Sequence, residues 1–187
     1  YWDDFFALRG LSDAAELAPV LGDDQNALRF GELRDSFRET LLASIHHTVE
    51  RQSLAYLPGS VELGDFAPTS TAIALVLDLD LGDEVGALIG RTLDRYVSEV
   101  RHRFSTGDWD AFSPYELRNV AALTRLGRRA DATALLDQLL RYRRPIAWNE
   151  WAEIVWRDAD APRFIGDMPH TWVGAGYANA LRDLFAY

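Results

Sequence analysis

Ser113-Pro114-Tyr115-Glu116-Leu117-Arg118-Asn119-Val120-Ala121-Ala122-Leu123-Thr124-Arg125-Leu126-Gly127-Arg128-Arg129-Ala130-Asp131 is the stretch whose reading decides the fold class. Ser113, Pro114 and Glu116 spell a capping box: a hydroxyl that accepts a backbone N–H, a proline at the first helical position and a carboxylate that reaches back. Gly127 suits the left-handed residue that ends such a helix, and Ala130-Asp131 opens the next one after a very short turn. Two helices joined so tightly must run antiparallel, as an αα-hairpin.

The same grammar extends in both directions. Leu33, Phe37, Leu41, Ile45 and Val49 step by four. Val85, Leu88, Ile89, Leu93, Tyr96, Val100 and Phe104 step by three and four, as one buried face of a helix requires. Leu135, Leu136, Leu139 and Leu140 form another such stripe, and Val173, Tyr177, Leu181 and Leu184 a further one. Gly22-Asp23-Asp24 and Gly82-Asp83-Glu84 stop one helix and start another, with acids where the helix dipole favours negative charge. The most strand-like run, Ala74-Leu75-Val76-Leu77-Asp78-Leu79, reads as a helix end. The expectation is an all-α chain with seven helices, at about 3–21, 25–52, 69–77, 84–103, 114–126, 131–142 and 170–185. No fixed repeat period aligns them. Thr69–Ala74 and Val173–Ala180 carry little bulk, which suits helices crowded on several sides, whereas 25–52 and 84–103 carry a full polar face. Antiparallel hairpins in two layers, inner and outer, follow from that contrast.

A chain of 187 residues, 48% hydrophobic, is long enough for one domain with a substantial core. Its net charge of −10 opposes a nucleic-acid backbone or an anionic membrane surface as partner. No apolar run approaches the roughly 20 residues that span a bilayer. With no cysteine there is neither a disulfide framework nor a thiolate metal site, and the compartment stays open. The chain starts at Tyr1 within what reads as a motif and stops at Phe185-Ala186-Tyr187, which is the pattern of a piece of a longer protein.

Three segments carry a resemblance: Tyr1-Trp2-Asp3-Asp4-Phe5-Phe6-Ala7-Leu8-Arg9-Gly10-Leu11, Gly59–Ala72, and Gly166-Asp167-Met168-Pro169-His170-Thr171-Trp172-Val173-Gly174. Together they resemble the C-terminal part of the six-hairpin glycosidase-like (α/α)6 toroids, particularly those of bacterial carbohydrate-active proteins that carry discoidin-type domains. The resemblance implies a single helical domain, residues 1–187, that is part of a toroid whose N-terminal helices lie outside this sequence. It also implies an oligo- or polysaccharide ligand in a cup of helix-end loops, glycoside hydrolysis as the reaction of the parent protein, and an extracytoplasmic location.

Glycoside hydrolysis needs one protonated and one ionised carboxyl group. Asp3 and Asp4, at a helix start, suit a base or hydroxyl-binding role, or are ordinary caps. Glu62 and Asp65 flank Leu63-Gly64, where Val61, Leu63 and Phe66 can desolvate a carboxyl as a general acid requires; the alternative is that these acids tie down a loop. Glu62 as acid and Asp4 as its partner are the expected catalytic pair. Trp2, Trp148 and Trp172 offer flat faces to a pyranose, or pack at helix junctions. Asp3, Asp65, Glu150 beside Trp148, and His170 complete the expected substrate contacts, with His170 equally suited to capping a helix. Asp108-Trp109-Asp110 and Trp151 share the same loop setting. His46 and His47 adjoin in a helix and face different ways, no His-Glu-x-x-His pattern occurs, and no glycine-rich phosphate cradle or Gly-x-Ser-x-Gly elbow is present, so neither a metal nor a cofactor is expected. The arginines at 125, 128, 129, 141, 143 and 144 read as a solvated helix-end cluster. A non-catalytic glycan-binding toroid and an open helical interaction scaffold are the rival readings.

Overall fold

The computed structural model describes residues 1–160 and 163–187. Seven α-helices account for most of the described chain: α1 Trp2–Val20, α2 Asp24–Gln52, α3 Pro68–Val76, α4 Gly82–Thr106, α5 Leu117–Arg125, α6 Arg129–Arg141 and α7 Thr171–Ala186. The all-α expectation holds, and all seven helices fall within three residues of their expected limits. The fold divides into two compact units, Tyr1–Thr92 and Leu93–Tyr187, with the boundary inside α4.

In the first unit, α1 and α2 form an antiparallel hairpin. Its short connection turns on Gly22 at φ +76°, and the Asp23 carboxylate accepts the Asn26 N–H to cap α2. At the open end the Tyr1 hydroxyl lies 2.9 Å from Ser44 Oγ and 3.1 Å from Thr48 Oγ1. Phe5, Leu8, Leu41 and Ile45 fill the seam, but Leu33 at the solvent end of the expected stripe stays 46% exposed. Asp3 and Asp4 occupy the first turn of α1 rather than the capping position, which belongs to Tyr1. The small residues of α3 do what their size suggests, since Thr71, Ala72, Ile73 and Ala74 are all buried.

The connection between α2 and α3 is a tied loop. Gly59 N–H donates to the Asp65 carbonyl at 2.9 Å, Tyr56 Oη donates to the Gly64 carbonyl at 2.9 Å, and Gln52 Nε2 donates to the Val61 carbonyl at 2.9 Å. Gly64 sits at φ +59°, and a Cβ there would lie 1.8 Å from Gln52 Oε1, so the loop demands glycine at that point.

In the second unit α5 is the enclosed helix: every residue from Leu117 to Thr124 is buried. Helices α6 and α7 both pack on it. The Arg128 N–H bonds the Leu123 carbonyl at 2.8 Å and Gly127 N–H the Thr124 carbonyl at 2.9 Å across Gly127 at φ +74°, which closes the α5–α6 hairpin as the sequence predicts.

Three expectations need correction here. The segment at 114–126 begins as a 3-10 turn, Pro114–Glu116, and becomes α-helical only at Leu117. Ser113 Oγ does accept the Tyr115 N–H, at 3.3 Å, but Glu116 does not reach back to complete the box. Its carboxylate instead accepts from Tyr96 Oη at 2.5 Å and from both Arg103 Nη1 and Nη2, at 2.8 and 2.6 Å, because a fork of charged donors outbids one backbone amide. The small-residue segment of α7 is not crowded on several sides: within that helix only Val173, Ala180 and Asp183 are buried. The arginines at the α5–α6 turn are not a solvated cluster either. Arg125 Nε donates to Asp183 Oδ2 at 2.8 Å, with the Asp183 side chain 3% exposed, and Arg128 Nη1 donates to Asp94 Oδ1 at 2.7 Å.

Two short strands, β1 Ala111–Phe112 and β2 Val155–Trp156, pair antiparallel and pin the long connection before α7 to the start of the unit. Trp109, Phe104, Phe112 and Tyr142 cluster beside them, with Trp109 in T-shaped contact with Tyr142 at 5.0 Å. No described helix is long and apolar enough to cross a membrane.

Candidate ligand site

The expected site residues separate into those that bury and those that present a surface. Trp109 and Trp151 are 8% and 5% exposed and belong to the core. Trp148 and Trp172 are 65% and 55% exposed, and Trp2 is half-buried at the start of α1.

Within the first unit, the backbone nitrogen of Tyr1 donates to the Gly59 carbonyl at 2.5 Å, which sets the start of α1, with Trp2, Asp3 and Asp4, beside the loop that carries Glu62 and Asp65. Asp65 Oδ1 accepts from Ser60 Oγ at 2.7 Å, a loop-tying role. Glu62 is exposed and the neighbouring Leu63 is 78% exposed, so the apolar shield expected around that carboxyl is not built. Asp3 is exposed and Asp4 half-buried.

The second unit holds a tighter constellation, at the junction of the Pro114–Glu116 turn, the first turn of α5, the segment at 151–153 and the start of α7. His170 occupies the position that caps α7, but its ring makes no cap bond. Its backbone N–H donates to the Trp151 carbonyl at 2.7 Å, and its Nε2 lies 2.7 Å from Tyr115 Oη. Tyr115 meets the His170 ring edge to face at 5.3 Å and the Trp172 ring at 6.2 Å. The Arg118 guanidinium stacks on Tyr115, 4.4 Å from its ring centre, and stands 5.8 Å from that of Trp172.

Two carboxylates adjoin this group. Donor atoms of Glu153, Asp167 and His170 all lie within 4.8 Å of one another, His170 Nδ1 is 3.9 Å from Asp167 Oδ2, and the Asp167 N–H points to Glu153 Oε2 at 3.4 Å. Ser113 Oγ donates to the Glu153 carbonyl at 2.9 Å, which anchors the bend before β2 to the turn before α5. Gly166, at φ +69°, lets the chain pass so close to Glu153 that a Cβ there would lie 2.2 Å from its Oε2.

The electrostatics follow from burial. Arg118 is 8% exposed, and desolvation holds its pKa down to about 10 against the attraction of Tyr115. Burial pushes the Tyr115 phenol above its ordinary value; the Arg118 charge pulls it down, and the charges of Glu153 and Asp167 add to the rise. The phenol therefore keeps its proton at neutral pH and serves as a hydrogen-bonding group. A flat exposed indole, a phenol, an imidazole and a buried guanidinium on one patch can hold a ring with an apolar face and hydroxyl edges.

The sequence reading finds Trp172 and His170 in this group and misses Tyr115, Arg118, Glu153 and Asp167. Tyr115 sits in the capping pattern that opens the deciding stretch, and Arg118 follows it as a helical residue to which the sequence attaches no chemistry. The spacing Asp167–His170 around Met168-Pro169 is the one local signal, and it concerns Asp167 alone. Trp148 and Glu150 lie in the exposed connection after α6, and neither bonds to this group among the described contacts. A groove of about 360 Å³ between α4 and α6, lined by residues such as Val97, Val100, Phe104 and Leu135, contains none of the expected site residues.

Comparison of the chain with protein-family models, with curated proteins and with solved structures finds no match.

Proposed function

We propose that this chain binds a saccharide at the patch formed by Tyr115, Arg118, His170 and Trp172. The observation that carries the reading is the pairing of a 55% exposed Trp172 ring with a buried guanidinium and a hydrogen-bonded Tyr115–His170 pair beside it. An indole face suits the C–H face of a pyranose, and the polar groups at its edge suit the hydroxyls. The resemblance to (α/α)6 toroids supports the same ligand class. On this reading the chain is the C-terminal set of helices of a larger ring in an extracytoplasmic protein, and the reading frame around it, searched for a signal peptide and upstream helical hairpins, tests that part.

Binding is tested by titrating a panel of neutral oligosaccharides into the purified protein in a calorimeter. At least one is expected to bind, with Trp172→Ala weakening it about tenfold or more, or roughly 1.4 kcal/mol. No binding across the panel, or binding that Trp172→Ala leaves intact, overturns the proposal.

A second reading, participation in glycoside hydrolysis through Glu62 and Asp4, is favoured by the Tyr1–Gly59 bond that brings the start of α1 to the Glu62 loop. The exposure of Glu62 makes cleavage the weaker of the two readings. Glu62→Gln and Asp4→Asn each remove a carboxyl group with little change of shape. Hydrolysis of the panel by the full-length protein that survives both substitutions removes this reading.

A further inference from the structure

We propose that Glu153, Asp167 and His170 form a binding site for a divalent transition-metal ion of the zinc type. The inference is independent of the saccharide reading, because it rests on three donor groups that the saccharide patch uses only at His170.

Asp167 and His170 are three residues apart in the bend before α7, and Glu153 joins them from 14 residues earlier in the chain. Their donor atoms lie within 4.8 Å of one another. A tetrahedral zinc ion with bonds of about 2.0–2.1 Å needs ligand atoms about 3.3 Å apart, so the 3.9 Å between His170 Nδ1 and Asp167 Oδ2 closes with a small rotation. Asp167 has the freedom for it, since its side chain is 86% exposed.

Two further observations point to a cation. Among the described residues the half-buried Glu153 and the exposed Asp167 form no ion pair with an arginine, so the Asp167 carboxylate has only the His170 ring, 3.9 Å away, as an ionic partner there. Two carboxylates and an imidazole with donor atoms within 4.8 Å of one another favour a positive ion. The far nitrogen of His170, Nε2, lies 2.7 Å from Tyr115 Oη. With the proton on Nε2 donated to that oxygen, Nδ1 turns its lone pair toward the carboxylates, the outer hydrogen bond that metal-binding histidines make. Two carboxylates and one imidazole with room for water suit zinc. Calcium prefers six to eight oxygen ligands and is the poorer fit.

The test uses the full chain, stripped with a chelator, and zinc alone as the probe, measured by competition with a chromogenic zinc indicator. One equivalent is expected to bind, and His170→Ala and Asp167→Asn are each expected to weaken it about tenfold or more. Asp167→Asn changes an exposed side chain, so it keeps the test sound even if His170→Ala disturbs the start of α7. Tyr115→Phe removes the acceptor for Nε2 and is expected to weaken zinc binding by about 10-fold without abolishing it. His46→Ala, which removes an exposed imidazole 3.6 Å from Glu84, is expected to change nothing. Zinc binding that is absent, that survives both Asp167→Asn and His170→Ala, or that is lost in His46→Ala overturns the proposal. So does a site that takes calcium and rejects zinc.

Discussion

Replacing Glu116 by glutamine changes one atom's charge in the interior of the second unit, and the structure allows the consequence to be estimated. The carboxylate accepts three hydrogen bonds, from Tyr96 Oη and from both terminal nitrogens of Arg103, with the Glu116 and Arg103 side chains 11% and 19% exposed. Burial works against the Arg103 charge, and the hydrogen bonds and charge of Glu116 outweigh it, so the guanidinium is held above its ordinary pKa. Glutamine keeps one acceptor oxygen and turns an NH2 group toward donors. At least one guanidinium hydrogen then has no acceptor, and the cation has no counter-charge. Breaking a fully buried ion pair costs about 3–5 kcal/mol, and the residual exposure here reduces this to about 2–4 kcal/mol. For a chain of this size that is a fall in Tm of about 5–15 °C. Five of the six tryptophans lie between residues 109 and 172, so fluorescence during a thermal melt reports chiefly on the unit in question. The companion variant Arg103→Met removes the cation, and in that background Glu116→Gln is expected to cost about 1 kcal/mol or less. A Glu116→Gln protein that melts within 2 °C of wild type, or costs that add without coupling, refutes the reasoning.

The same network predicts an alkaline limit. Burial, with the Glu116 charge adding to it, raises the Tyr96 phenol well above its ordinary pKa. The folded state therefore holds that proton above about pH 10 where the unfolded chain releases it; the stabilisation is complete below pH 10 and is lost as pH rises further, and Tyr96→Phe flattens that part of a stability-against-pH curve. Asp183→Ala strands Arg125 in the α5–α7 interface and is expected to cost about 3–5 kcal/mol in a denaturant titration, whereas removing the exposed Glu62 side chain costs less than about 0.5 kcal/mol. Gly166→Ala places a methyl group 2.2 Å from Glu153 Oε2 at a positive φ; it is expected to destabilise by about 1–3 kcal/mol and to weaken zinc binding by displacing that carboxylate, read from a melt and the indicator assay on one sample. Arg118→Met, which replaces a desolvated cation by an apolar chain of similar length, is expected to leave Tm unchanged or raise it while weakening saccharide binding in the calorimeter.

The helices were legible because their signals are local. Val85, Leu88, Ile89, Leu93, Tyr96 and Val100 recur at helical spacing and all six are buried, and Gly127 turns the chain at a positive φ where a side chain is disfavoured. The enclosed helix was not legible. Residue bulk pointed to α7, but α5 is the one surrounded, and it buries Arg118, Asn119 and Thr124, residue types that a sequence reading places in water. Their burial follows from α6 and α7 packing on α5, which the sequence of α5 does not announce, although the contacts of Arg118 with the Tyr115 ring and of Thr124 with the Val120 carbonyl are local. The two-residue strands were illegible for a related reason: Ala111-Phe112 and Val155-Trp156 are too short to alternate and exist only because they meet. At the candidate site, Trp172 and His170 could be picked out as chemistry-bearing residues near a helix start. Glu153 could not, since what marks it is proximity to Asp167 across 14 residues of irregular chain.

The contrast between two arginines of the second unit separates stability from function. The chain contains no lysine, so every side-chain cation it buries is a guanidinium. At Arg103 the surroundings favour the charge: Glu116 receives both terminal nitrogens and holds the pKa up. At Arg118 burial opposes it and brings the pKa down to about 10, against the attraction of the Tyr115 ring on which it stacks. A charge held against its desolvation weakens the fold relative to an apolar side chain of equal length, so packing alone does not explain why an arginine stands there. What it does provide is a planar cation stacked on Tyr115 and 5.8 Å from the exposed Trp172 ring, which fixes those aromatic faces beside a phenol that keeps its proton. Aromatic faces already fixed by stacking lose little entropy when a hydroxylated ring arrives, which is the physical case for preorganised binding at this corner. Arg118→Met is therefore expected to have opposite effects on melting and on ligand affinity; a variant that loses both together would make Arg118 a structural residue with no separate part in holding the Trp172 patch.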